Sequence, residues 1–146
     1  MNHNMYHNPI VQDNIQKLER FGYEMIAPDR GMLANGDDGD GRMPEPEVLF
    51  EYILRELAFE KDLAGKKVLV TAGATMEAID PVRYITNHSS GKMGCAVAKA
   101  AMQRGAKVTL VAGHMEVLPP MFVDVVNVKS AADMFEAVTK LAPGCG

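Results

Sequence analysis

The chain has 146 residues, 19 Asp and Glu against 15 Lys and Arg, and a net charge of −4 at pH 7. With no Trp, few other aromatics and no basic excess, the composition argues against a nucleic-acid partner. No apolar run approaches the roughly 20 residues of a membrane span, and no secretory leader is expected, since no stretch here reads as one.

Charge is unevenly spread. Residues 1–62 carry 13 acidic and 6 basic side chains, and residues 63–146 carry 6 and 9, balances of −7 and +3. The switch falls at EKDLAGKK, which reads as a linker, so two pieces are expected, 1–62 and 63–146. The second suits an anionic ligand. Cys95 and Cys145 have neither metal spacing nor a disulfide framework, which fits a reducing cytoplasm. His3, His7, His88 and His114 read as scattered, and no metal ligand is assigned.

In chain order, Asn8-Pro9 reads as an N-cap and first-turn proline. Val11, Ile15 and Leu18 then share a helical face, with Gly22 just past the C-terminus. Residues 23–27 read as a short strand closed by Pro28, and 29–44 as a Gly/Asp-rich loop. A helix is expected from Pro44-Glu45, with Leu49, Ile53 and Leu57 as its apolar stripe. Buried strands follow at 67–72, 107–112 and 122–128. A helix over about 90–104 ends at Gly105, and a last helix is capped by Ser130. This order predicts an α/β fold: an incomplete Rossmann-like parallel sheet with covering helices. Three strands leave such a sheet unfinished, so the expectation is an internal segment of a longer protein.

Residues 73–94, GATMEAIDPVRYITNHSSGKMG, are the most informative stretch. A polar segment this long at the exit of a buried strand suggests a binding loop. Ser89, Ser90, Gly91 and Lys92 at a helix start suit phosphate through free amides, hydroxyls and a mobile cation. A P-loop is excluded, because Met93 follows Gly91-Lys92 and Thr86 stands where its first glycine belongs. A dinucleotide fingerprint is disfavoured as well. Only Gly73 follows the first strand, position 75 is Thr, and Ala112-Gly113 replaces the acidic residue expected near the second strand's end. That argues against a plain dinucleotide oxidoreductase.

The run from Val70 through Gly94 resembles the signature of phosphopantothenoylcysteine synthetase, T-A-G-x-T-x-E-x-I-D-P-V-R-x-I-x-N-x-S-S-G-K-M-G, over about 25 residues. The first piece resembles the tail of phosphopantothenoylcysteine decarboxylase, a flavodoxin-like flavoprotein fused upstream in many bacteria. The matching residues are Met1-Asn2, Met5, Asn8-Pro9, Gln12 and Asn14, then Ala34-Asn35-Gly36, Gly39, Gly41-Arg42-Met43 and Glu45-Pro46.

The resemblance implies coenzyme A biosynthesis in the cytoplasm. CTP activates 4′-phosphopantothenate as an acyl-cytidylate, with Mg2+ accompanying the triphosphate, and cysteine displaces CMP. An FMN enzyme then decarboxylates the product. It implies that Asn87 contacts the acyl-cytidylate, that Gly73 and Ala74 let nucleotide approach the strand end, and that Asn2 holds a substrate carboxylate. Asn35 stands where the family has its proton-donating flap cysteine, and an amide cannot act as a thiol acid. Asp80 and Arg83 are expected to pair and brace the loop, and Cys95 to be buried packing. The family further implies a homo-oligomer at full length. Its catalytic histidine and most flavin contacts are expected before Met1, and a lysine loop beyond residue 146, so the isolated chain is expected to be inactive. The alternative is a non-catalytic nucleotide-binding Rossmann-like module.

Overall fold

The computed structural model describes residues 1–145. They form two compact units, Met1–Phe50 and Glu51–Gly146.

In the first unit a short helix α1 (His3–Tyr6) precedes α2 (Pro9–Arg20). Asn2 and Asn8 cap them, each side chain accepting a backbone N–H two residues on, at 2.9 Å. Gly22, at φ +87°, ends α2 as expected. Two expectations are corrected. Residues 23–27 are not a strand, and the Gly/Asp-rich stretch is an antiparallel hairpin of β1 (Asp29–Met32) and β2 (Asp38–Arg42). The β-poor composition of 29–42 hid the pairing. What holds it is local turn chemistry: Leu33 donates to Asp37 O at 2.8 Å, Gly36 to Leu33 O at 2.9 Å, and Gly36 takes φ +84°. Gly41 is required on β2, because a Cβ there would lie 2.1 Å from Met1 O.

Helix α3 (Pro46–Leu57) does not bury its expected stripe: Ile53 and Leu57 are exposed. Its contacts lie elsewhere on the helix, where Glu51 accepts from Lys99 Nζ at 2.6 Å. The Tyr52 ring packs edge-on against Phe122, with centroids 4.6 Å apart, and the Arg55 guanidinium lies 4.4 Å over Phe122. The EKDLAGKK turns are pinned beside the next helix's end, where Lys61 Nζ donates to Gln103 O at 2.7 Å and Asp62 pairs with Arg104. Lys61 thereby satisfies one of that helix's last carbonyls.

In the second unit β3 (Lys67–Ala72), β6 (Lys107–Ala112) and β7 (Asp124–Asn127) form a parallel sheet in the order β3–β6–β7. This α/β arrangement is the one expected. Helix α4 (Lys92–Gln103) crosses from β3 to β6, and α5 (Ala131–Leu141) follows β7. The core lies between α4 and the sheet: Cys95, Ala98, Ala101 and Met102 meet Ala72, Val108, Leu110 and Ala112. Cys95 is buried packing, as anticipated, and burial pushes its thiol pKa up. Small side chains on α4 let the helix sit close to the strands. A Cβ on Gly94 would fall 2.5 Å from the Ala72 Cβ and 2.7 Å from Thr71 O. Ser130 caps α5 in a full capping box with Asp133. No helix among the described residues is long and apolar enough to cross a membrane.

Candidate functional site

The chain between β3 and α4 contains a small antiparallel hairpin, β4 (Met76–Ala78) with β5 (Tyr84–Thr86). Asp80 builds its turn. Its carboxylate accepts the N–H groups of Val82 at 2.9 Å and Arg83 at 2.7 Å, and the Arg83 guanidinium at 2.6 Å. These donors, the Arg83 backbone N–H first, hold the Asp80 carboxyl below the usual carboxylate range. Further ties fix the hairpin from below. Met76 N–H donates to Lys129 O at 2.7 Å, Ala131 N–H to Glu77 Oε1 at 2.7 Å, and Thr86 Oγ1 to Thr75 O at 2.8 Å.

Beyond β5 the Asn87 side chain accepts the Ser89 N–H at 2.9 Å, an Asx turn that re-aims the chain. Its amide NH2 makes no hydrogen bond among the described residues. The helix starts later than position 90: its N-cap is Gly91, at φ +78°, with no side-chain cap. Neither Ser89 nor Ser90 serves as the cap, because the left-handed turn at Gly91 sets the helix start. An L-residue in that conformation costs about 1–2 kcal/mol, and a Cβ there would press on Met115 Cγ at 2.7 Å.

The result is an open helix mouth. The N–H groups of residues 91–94 find no partner among the described residues. They face a cleft of 760 Å³ at the C-terminal end of β3, lined by Gly73, His88, Ser89, Ser90, Gly91 and Lys92 among others. Among the described residues no Asp or Glu lines it. The outer edge of β3, unpaired among the described residues, forms its floor. Four amides, two serines and a lysine without a carboxylate make a surface for phosphate. Gly73 reaches the cleft through φ +83°, in space that a Cβ would lose to His114 O at 2.4 Å.

Not every predicted residue arrives there. Ala74 is buried at 1% exposure, bridged to His114 by a reciprocal backbone pair at 2.9 and 2.7 Å. It shapes the loop from behind the strand end. Asn87 stands beside the cleft lining. His88 and Met115 were not singled out from the sequence. His88 lies within the motif itself, whereas Met115 reaches Gly91 only through the tertiary fold.

In the first unit Asn2 and Asn35 meet across a smaller cavity of 330 Å³, together with Met32, Leu33, Gly41 and Arg42. Asn35 sits at the hairpin tip and donates to Asp37 Oδ2 at 2.6 Å. Helices α1 and α2 offer no open N-terminus for a flavin phosphate, since Asn2 and Asn8 occupy both, and α3 opens on acidic residues. Among the described residues of this unit no helix start is set up for the phosphate of FMN. The histidines read as scattered are not all so, since His3 and His7 converge with Asp40 on β2. His7 Nε2 is 2.9 Å from Asp40 Oδ2, and this hydrogen bond above all holds the Asp40 carboxyl below its ordinary range.

Comparison with known proteins gives two family matches. Residues 63–145 match the "DNA/pantothenate metabolism flavoprotein C-terminal domain", and residues 1–58 match "Flavoprotein". The chain is 50% identical over 137 residues to the coenzyme A biosynthesis bifunctional protein CoaBC of Haemophilus influenzae, covering 94% of this chain and 34% of the relative. It is 53% identical over 138 residues to the protein of the same name from Vibrio parahaemolyticus, again 94% of this chain and 34% of the relative. The chain thus spans about a third of the length of these relatives. A solved crystal structure of the C-terminal domain of a coenzyme A biosynthesis bifunctional protein CoaBC superposes with a TM-score of 0.55 at 52% identity. That match covers 57% of this chain and 42% of the solved one.

Proposed function

Because the chain belongs to the family of the DNA/pantothenate metabolism flavoprotein C-terminal domain, we propose that residues 63–146 form the nucleotide-binding front of a CTP-dependent phosphopantothenate–cysteine ligase. Residues 1–62 would carry the substrate flap of the fused decarboxylase. The relatives are bifunctional proteins of coenzyme A biosynthesis, which supports an enzyme of that process.

One observation carries the reading: the mouth of α4, which has no side-chain cap and, among the described residues, four unpartnered N–H groups beside Lys92 and no carboxylate lining the cleft. The amides and Lys92 hold the triphosphate. The Gly73 turn leaves room for it at the strand end. In the first step the carboxylate of 4′-phosphopantothenate attacks the α-phosphorus and pyrophosphate departs. In the second the cysteine amine attacks the acyl carbon and CMP departs. Negative charge then builds on the acyl oxygen. The unengaged NH2 of Asn87 is the donor that stabilises it, held in place by its own Oδ1 bond to Ser89 N–H. With no carboxylate in the cleft, a magnesium ion would arrive on the triphosphate and be held by it. No step is assigned to a flavin.

Titrating CTP and ATP into the whole chain by calorimetry tests the reading. CTP is expected to bind in preference, and Lys92→Ala to weaken it about tenfold, roughly 1.4 kcal/mol. Equal affinity for both nucleotides, insensitive to Lys92, would leave a generic nucleotide-binding module instead. The chain alone is expected to bind without forming acyl-cytidylate, so turnover at a normal rate would refute that part.

A further inference from the structure

We propose that His3, His7 and Asp40 form a binding site for a borderline divalent transition-metal cation of the Zn2+ class, tying the N-terminal segment to the β1–β2 hairpin. His3 opens α1 and His7, four residues on, is its C-cap, so their imidazoles fall on one side of the turn. They stack edge to face with ring centroids 4.5 Å apart. Asp40 arrives from β2, more than 30 residues away in sequence. The three ligand atoms all lie within 4.8 Å of one another. A tetrahedral Zn2+ ion bonded at about 2.1 Å sets ligand separations of about 3.4 Å, so closure from separations of at most 4.8 Å requires adjustments of up to about 1.4 Å. The side chains have room to make them, being 44, 49 and 39% exposed.

The donor chemistry agrees. Asp40 N–H donates to His3 Nδ1 at 3.2 Å, which marks that nitrogen as the one carrying the lone pair. The contact is long, and a cation would displace it. Asp40 Oδ2 lies 4.0 Å from this nitrogen and 2.9 Å from His7 Nε2, so one carboxylate oxygen faces both imidazoles. Two imidazoles and one carboxylate suit Zn2+, Co2+ or Ni2+, whereas Mg2+ and Ca2+ call for more oxygen ligands. Gly39 makes the approach possible, because a Cβ there would crowd the His3 ring at 3.0 Å. His3 adjoins Asn2 and Asp40 adjoins Gly41, both of which line the 330 Å³ cavity. A bound cation would therefore hold that cavity's walls together. The inference stands on these side chains alone and does not depend on the ligase reading.

The test uses the whole chain, Zn2+ and a competing chromophoric chelator, with NMR of the imidazole resonances. One equivalent of Zn2+ is expected to shift His3 and His7 while leaving His88 and His114 in place. His7→Ala and Asp40→Asn should each weaken Zn2+ at least tenfold, and His114→Ala should not change it. Unmoved His3 and His7 resonances, with Zn2+ taken up elsewhere or not at all, would overturn the proposal, as would a His7→Ala chain that binds as tightly as the parent. The resonance shifts are read on the unsubstituted chain, so the answer does not depend on how the variants fold.

Discussion

Gly94→Ala sets two effects against each other on α4. Helix propensity alone favours alanine by up to about 1 kcal/mol. Packing opposes it, because the new Cβ would stand 2.5 Å from the Ala72 Cβ, 2.7 Å from Thr71 O and 3.0 Å from the Ala72 Cα. Those neighbours belong to β3 itself, and none is a flexible side-chain end that can swing away. Carbon–carbon contact is comfortable at about 3.5–4.0 Å, so the start of α4 must lift by about 1 Å. Overpacking of this kind costs about 1–3 kcal/mol, and more where backbone must yield. The net expectation is a loss of roughly 1–2 kcal/mol. For a unit of under 100 residues that is a fall in Tm of roughly 5–15 °C. Thermal unfolding followed by far-UV circular dichroism reads it, with Ala96→Gly at an exposed position of the same helix as the reference. Ala96→Gly should lose about 1 kcal/mol through propensity only. If Gly94→Ala raised Tm while Ala96→Gly lowered it, propensity would govern both sites and the close-packing argument would be refuted. Lifting α4 also draws its free amides away from Gly73, so CTP affinity should fall with stability.

Asn87→Asp, placed in a chain of the relatives' full length, keeps the acceptor that orders the Ser89 turn but removes the NH2 donor. CTP binding should stay nearly intact while amide formation falls about 100-fold or more, and unchanged turnover would remove Asn87 from the chemistry. Gly91→Ala forces an L-residue into φ +78° and should cost about 1–2 kcal/mol in a urea melt. Ser130→Ala removes the α5 cap and should cost about 1 kcal/mol, with the loss read in the same melt. Asp133 is held below the usual aspartate range, chiefly by the Ser130 backbone N–H. Its stabilising contribution is therefore present above about pH 3.9 and lost as pH falls through the depressed folded value. The Tm gap between the parent and Asp133→Asn should close over that acidic window, and a gap independent of pH would contradict the assignment.

Where local chemistry suffices, the chain announces its own structure. Asn8-Pro9, Gly22, Ser130 and the valine-rich strands at 67–72 and 107–112 all read correctly, because caps and buried strands are set by residues adjacent in sequence. The Asp80–Arg83 brace was legible for the same reason, being closed across three residues. The loop from Gly73 to Lys92 could be read as a candidate phosphate surface from residue types alone. Its geometry could not. The helix start moved to Gly91 because an Asx turn at Asn87 and a left-handed glycine decide where the chain turns. Ala74 withdrew behind the strand because it bridges His114, a partner forty positions away. The β1–β2 hairpin escaped notice because its strands hold almost no β-favouring residues, and pairing supplies what composition lacks. The His3–His7–Asp40 cluster has the same origin. Two of its members lie one helical turn apart and are readable together, but the third reaches them only through the folded chain, which brings distant donors to one point in a way no spacing rule records.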